Sequence, residues 1–139
     1  MAALAADKVV ASRNLGAKLQ YPVVASDIIY AGSIVMIDSA GYANPAAASV
    51  TNNGCVGIAV EKADNASGSA GAVDVEVQEG EFLLDATTAA QTIVGDLVYA
   101  EDDQTIDETQ GSNEPRAGIA TEFVSASSVW VRMGIGLNV

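Results

Sequence analysis

Five carboxylates crowd into eight positions, Glu101, Asp102, Asp103, Asp107 and Glu108, and side chains of this type are what a calcium ion or an acid–base pair requires. The run lacks the spaced oxygen ligands and the glycine of a calcium loop, so it is expected to be a solvated acidic hairpin. Elsewhere the chemistry thins out. There is no histidine, which removes the commonest general base. No serine or cysteine sits in a nucleophile motif, and no glycine-rich loop precedes a helix. The single cysteine, Cys55, lies within CVGIAV; it makes no internal disulfide, is too little for a zinc site, and reads as a small buried hydrophobe. Asn65-Ala66-Ser67 fits a glycosylation acceptor. The start MAALAADKVVASRNLG, however, has its first cation at Lys8 and no long apolar stretch, so it does not read as a secretory signal, and folding in the cytosol is expected. No catalytic residue, cofactor or metal is expected.

The charge narrows the partners. Residues 1–20 carry a net +2 through Lys8, Arg13, Lys18 and Asp7, whereas residues 21–139 carry −14, for a total of −12. Nucleic acid and anionic membrane both require a cationic footprint, which the body lacks. The longest uncharged run, Ser39 to Val60, contains Asn44, Pro45, Asn52 and Asn53 and cannot cross a bilayer as a satisfied helix. The basic head is expected to be an extended arm over residues 1–20, lying on an acidic partner or a sister subunit, ahead of a single domain at 21–139 with one core.

The elements that hold these residues are strands. Alanine (25), valine (17) and isoleucine (9) dominate over leucine (7), and β-branched side chains favour the pleated surface. Strands are expected over Tyr21 to Ile29, in AGSIVMID (31–38), in CVGIAVE (55–61), in AVDVEVQ (72–78) and over Glu81 to Leu84, with residues 43–53 a loop. ATTAAQTIV (86–94) is expected to supply at most one short helix. The pattern then restarts. VGDLVYAED (94–102) echoes AGSIVMID at an offset of 63, AGIATE (117–122) echoes VGIAVE at 61, and SASSVWVRM (125–133) echoes SAGAVDVEV at 56. Three motifs in the same order are a degenerate duplication. Each half offers three strands that cannot bury their apolar face alone, so the expected fold is all-β, a small barrel or sandwich closed by two repeats. Gly57 and Gly118, inside strands, mark a bulge or a close backbone approach.

With chemistry absent, binding remains. Alternation puts Val129, Val131 and Met133 inward and Trp130 and Arg132 outward, where the first half has Asp74 and Glu76. An outward Trp beside an Arg has the composition of an interface anchor, unless the N-terminal arm covers the ring. Ile135, Leu137 and Val139 add apolar surface at the end of the chain. The candidate interface residues are therefore Lys8, Arg13, Lys18, Trp130, Arg132, Ile135, Leu137 and Val139.

The order YAGSIVMID, GCVGIAVEKA, a Gly-rich loop, AVDVEVQEGEFLL, GDLVYAEDDQTI, RAGIATEF and VWVRM resembles the capsid cement, or head decoration, proteins of tailed bacteriophages, from about Tyr30 to Met133. It departs from their pattern at Ala100-Glu101, where an aromatic-acid pair often follows the hairpin tyrosine, and in residues 1–20. The resemblance implies a β-barrel protein, commonly a trimer, on the outer surface of a phage capsid, made in the bacterial host cytoplasm and bridging major capsid proteins. The rival reading is a carbohydrate-binding or adhesin-like β-module in which Trp130 and Tyr42 stack on sugar rings.

Overall fold

Alternating and continuous runs of β-branched residues produce strands along the whole chain. In the computed structural model, which describes residues 3–49 and 51–136, the elements are β1 (Ser12–Arg13), β2 (Lys18–Pro22), β3 (Asp27–Ile29), β4 (Ile34–Asp38), β5 (Ala43–Pro45), β6 (Asn52–Ala59), β7 (Ala63–Asn65), β8 (Asp74–Gln78), β9 (Gly80–Ala86), β10 (Leu97–Ala100), β11 (Thr105–Asp107), β12 (Arg116–Ser125) and β13 (Ser128–Met133). The one helical element among these residues is a 3-10 turn, Gln91–Ile93, inside the segment expected to turn helically. The protein is all-β, as its composition indicates.

The strands close two small rings, one per repeat. In the second half the order β9-β11-β10-β12-β13 returns on itself through the β13–β9 ladder. In the first half β2-β8-β6-β4-β5 form a sheet whose ends meet at the parallel bridge Val23↔Ala43. The same parallel contact recurs as Ile106↔Ala86, 63 residues later. Backbone hydrogen bonds repeat with it: Gly32 N–H to Ala59 C=O (2.9 Å) and Gly95 to Ala120 (2.8 Å), Ala59 to Ser33 (2.9 Å) and Ala120 to Asp96 (3.0 Å), Val24 to Ala43 and Thr87 to Ile106 (both 3.0 Å). Even the irregularity is copied. A bulge falls at Val35/Met36 opposite Gly57 and again at Val98/Tyr99 beside Gly118.

The strand expected over Tyr21 to Ile29 is divided between β2 and β3, the loop expected over residues 43–53 contains β5 and the start of β6, and two larger features differ from the expectation. One is the number of cores. Val35, Ala43, Val56, Ala59, Val75 and Val77 fill the first barrel by themselves, while Val98, Ala100, Ile106, Ala117, Ala120, Val129 and Val131 fill the second. The cross-strand pairs Ile34–Ile58 and Met36–Cys55 point out of barrel one and are buried in the core cluster of barrel two. Cys55 is thus the buried hydrophobe its setting indicates, and burial pushes its thiol pKa up. The halves do not share one barrel; they are two barrels joined by the apolar outer face of the first. The other difference is the register of the last strand. Ile58 pairs with Gln78, and Ile119 with Arg132, so the offset there is 54 rather than 56. Trp130 and Arg132 stand where Glu76 and Gln78 stand, on the same face but one pleat further along. The repeat also begins earlier. Lys18 pairs with Gln78 as Glu81 pairs with Arg132, so β2 is the counterpart of β9. The segment to residue 20, expected as an extended arm, lays β1 on β9 and opens barrel one with β2.

The two strand glycines have equivalent surroundings. A Cβ on Gly57 would lie 2.4 Å from the carbonyl oxygen of Gln78, and one on Gly118 would lie 2.1 Å from that of Arg132. Gly57 also has φ +151°. Strand closeness at the bulge therefore requires glycine at both places. Gly57→Ala and Gly118→Ala should each destabilise by about 2–4 kcal/mol in urea unfolding. Gly16→Ala, whose Cβ meets nothing nearer than 3.5 Å, should change stability by less than about 1 kcal/mol. Effects at Gly57 and Gly118 no larger than at Gly16 would contradict the close approach, and a large effect at only one of the two would contradict the equivalence.

Candidate functional site

On the outer face of barrel two, three strands and the N-terminal segment converge on one carboxylate. Alternation sends Glu81, Leu83 and Asp85 of β9 outward beside Arg132, Trp130 and Ser128 of β13, and β1 places Arg13 directly opposite Glu81. The Glu81 side chain is 4% exposed. Its two oxygens accept from Thr121 Oγ1 (2.7 Å), Asn14 Nδ2, Arg132 (3.0 Å) and Arg13 Nε (3.2 Å). A carboxylate with this many donors is strongly favoured in its charged form. Its pKa falls to about 2, first through the Thr121 and Asn14 hydrogen bonds and then through the two arginines, against the opposing effect of burial. Arg13 also reaches Glu122 at 2.9 Å, and its guanidinium lies 4.0 Å from the Trp130 ring centroid, within cation–π range.

The structure thus brings Arg13, Trp130 and Arg132 together and adds Glu81, Asn14 and Thr121. The N-terminal segment does cover the tryptophan. Lys8 sits apart, between Asp85 (2.9 Å) and Gln104 (3.1 Å). Lys18 is further away on barrel one, 3.9 Å from Glu76. Ile135 is 62% exposed, its N–H held by Glu79 Oε2 at 2.9 Å, and it lines a groove of about 440 Å³ with Arg132, Asn14 and Glu79. Leu137 and Val139 lie outside the described residues.

The acidic loop departs from its expectation. Asp102 and Asp103 are buried, not solvated. Asp103 accepts the Leu4 N–H at 2.8 Å and faces the Ser33 hydroxyl at 3.5 Å; burial pushes its pKa up while the Leu4 N–H opposes this. Its role is to tie down the start of the chain. Among the described residues, no three acidic or cysteine side chains gather as a metal site would need, and no helix is long and apolar enough to cross a membrane.

What surrounds Glu81 is a clasp, a set of ion pairs and a stacked ring that fastens the N-terminal segment across a finished barrel. The sequence comparison agrees with a structural role: a profile of the phage cement proteins matches residues 16–135. The chain belongs to the phage cement protein family. No curated protein matches it. The match spans both barrels from just before β2 to just after β13 and begins after β1, so Lys8 and Arg13 lie outside the matched residues. Phage cement proteins are structural components of the capsid and not an enzyme family, which places this chain with the virion and gives it a capsid-stabilising function.

Glu81→Gln leaves the Thr121 and Asn14 donors poorly satisfied and should destabilise by about 1–3 kcal/mol. The sign with pH follows from the depressed value. Glu81 contributes fully above the ordinary carboxyl pKa of 4.5, and its contribution is lost as pH falls towards about 2. Melting temperatures from pH 7 to pH 2 should therefore decline less steeply below pH 4.5 in Glu81→Gln than in the native protein. Parallel curves would show that the clasp carries no such linkage.

Proposed function

We propose that the protein sits on the outer surface of a phage capsid as a trimer, bridges neighbouring major capsid proteins and so holds the shell against internal pressure. The observation that carries this reading is that the cement-family match encloses both barrels, which are locked into one body by the buried pairs Ile34–Ile58 and Met36–Cys55. A body with two barrels offers contact surfaces at two ends, and simultaneous engagement of several shell subunits raises avidity without strong individual contacts. The net charge of −12 steers it towards basic protein surfaces and away from nucleic acid. Arg132 and Ile135 form the proposed contact edge; Lys8 and Arg13 set that edge by fastening the N-terminal segment. The sugar-binding alternative loses its platform, because the Arg13 guanidinium occupies a face of Trp130.

The test is sedimentation of the purified protein with capsids assembled without it, alongside its native mass. Saturable retention and a mass of three chains are expected. Ile135→Asp should weaken retention about tenfold, equivalent to about 1.4 kcal/mol. A protein that stays in the supernatant at all concentrations would overturn the reading.

A further inference from the structure

The five strands of one barrel match those of the other; apart from the β3–β7 pair, which among the described residues has no counterpart in the second half, the two differ at one edge. In barrel two the first half of β9 is flanked by β1, with Ser12 opposite Phe82, Arg13 opposite Glu81, and the Leu83 N–H donating to Ala11 C=O at 3.0 Å. The shared register makes Lys18, Leu19 and Gln20 the counterparts of Glu81, Phe82 and Leu83. The parallel closures Val23↔Ala43 and Ala86↔Ile106 keep the same alignment at the other end of each strand. Yet β2 is the terminal strand of its sheet, and among the described residues no strand lies on its first half. The Gln20 N–H, which corresponds to that of Leu83, points away from β8. Pro22, with no N–H to give, ends this donor row as prolines do on edge strands. An edge with open donors and acceptors is a template for an extended chain.

The side chains say which kind of chain. In barrel two an acid on the edge, Glu81, faces a base on the added strand, Arg13. In barrel one the edge residue is Lys18, 57% exposed and only loosely approached by Glu76 at 3.9 Å, a pair worth less than about 1 kcal/mol. The strand that fits needs a carboxylate opposite Lys18. A second copy of β1 would set Arg13 against it, cation on cation.

We infer that the open half of β2 receives an extended segment of the capsid subunit, antiparallel to β2, with Asp or Glu opposite Lys18. This rests on the proposed capsid attachment. Amide exchange of the native protein, free and bound to capsids assembled without it, tests it directly: the Gln20 amide should slow at least tenfold on binding. Gln20→Pro removes an N–H outside the β2–β8 ladder, so it should keep its melting temperature and lose retention by tenfold or more. Lys18→Glu, an exposed change, should do the same and serves if the proline variant does not fold. If the native protein binds capsids with the Gln20 amide unchanged, or either folded variant binds as well as the native protein, the edge assignment falls and attachment stands. If the native protein binds no capsid, both fall. If the variants lose their native mass as well as retention, the occupant is a second copy and the assignment to the capsid subunit is wrong.

Discussion

A ring of only five strands encloses very little room, because barrel diameter grows with strand number. That constraint runs through the whole chain. The interiors are filled mainly by valine, alanine and isoleucine, with Phe82, Leu84 and Met133 as the larger side chains of barrel two. Equivalent interior positions trade volume between the repeats. Val23, Ile37 and Val56 of barrel one correspond to Ala86, Ala100 and Ala117 of barrel two, while Ala43 corresponds to Ile106. A core near native packing density must keep its total volume, so the individual residues have diverged while the rings have not. Gly57 and Gly118 escape this divergence because a carbonyl occupies the space their side chain would take.

The second constraint is that barrel one is apolar on both faces of β4. Ile34 and Met36 face barrel two, and Val35 and Ile37 face inward. The run IVMI already carries this, since a continuous apolar stretch indicates a strand covered on both sides. The expectation of a single core rests on chain length and on two halves closing one fold, neither of which registers a strand buried on both faces. The motif repeats, the inward Val129, Val131 and Met133, and the close approach at the two glycines were legible because they depend on alternation within a strand. The pairing of β2 with β9 was not, because KLQYP and EFLLD share shape rather than residue type. β5, β7 and β11, of three residues each, are too short to show a period, and their pairings are set by tertiary closure.

The clasp was half legible. Trp130 and Arg132 stand out by type and face, and the N-terminal cations by charge. Glu81 looks like one acid among eighteen acidic residues until the β9–β13 and β1–β9 registers place it between two arginines. Asp103 likewise becomes a buried anchor only through Leu4, ninety-nine residues away. Both depend on contacts between distant parts of the chain, which local pattern does not encode. Functionally, the division is plain. The family match covers both barrels, residues 16–135, and the contacts of Lys8, Arg13 and the Leu4 amide that fasten the N-terminal segment to them come from residues ahead of it.

The central claim is that two equivalent barrels are fused by one face into a single cooperative body. Native-state amide exchange of the hydrogen-bonded pairs Gly32 and Gly95, and Ala59 and Ala120, addresses it most directly. The fused body predicts that all four amides exchange only through global unfolding, with one common opening free energy and the same denaturant dependence. Amides of one barrel opening at much lower free energy, while those of the other stay protected, would contradict it.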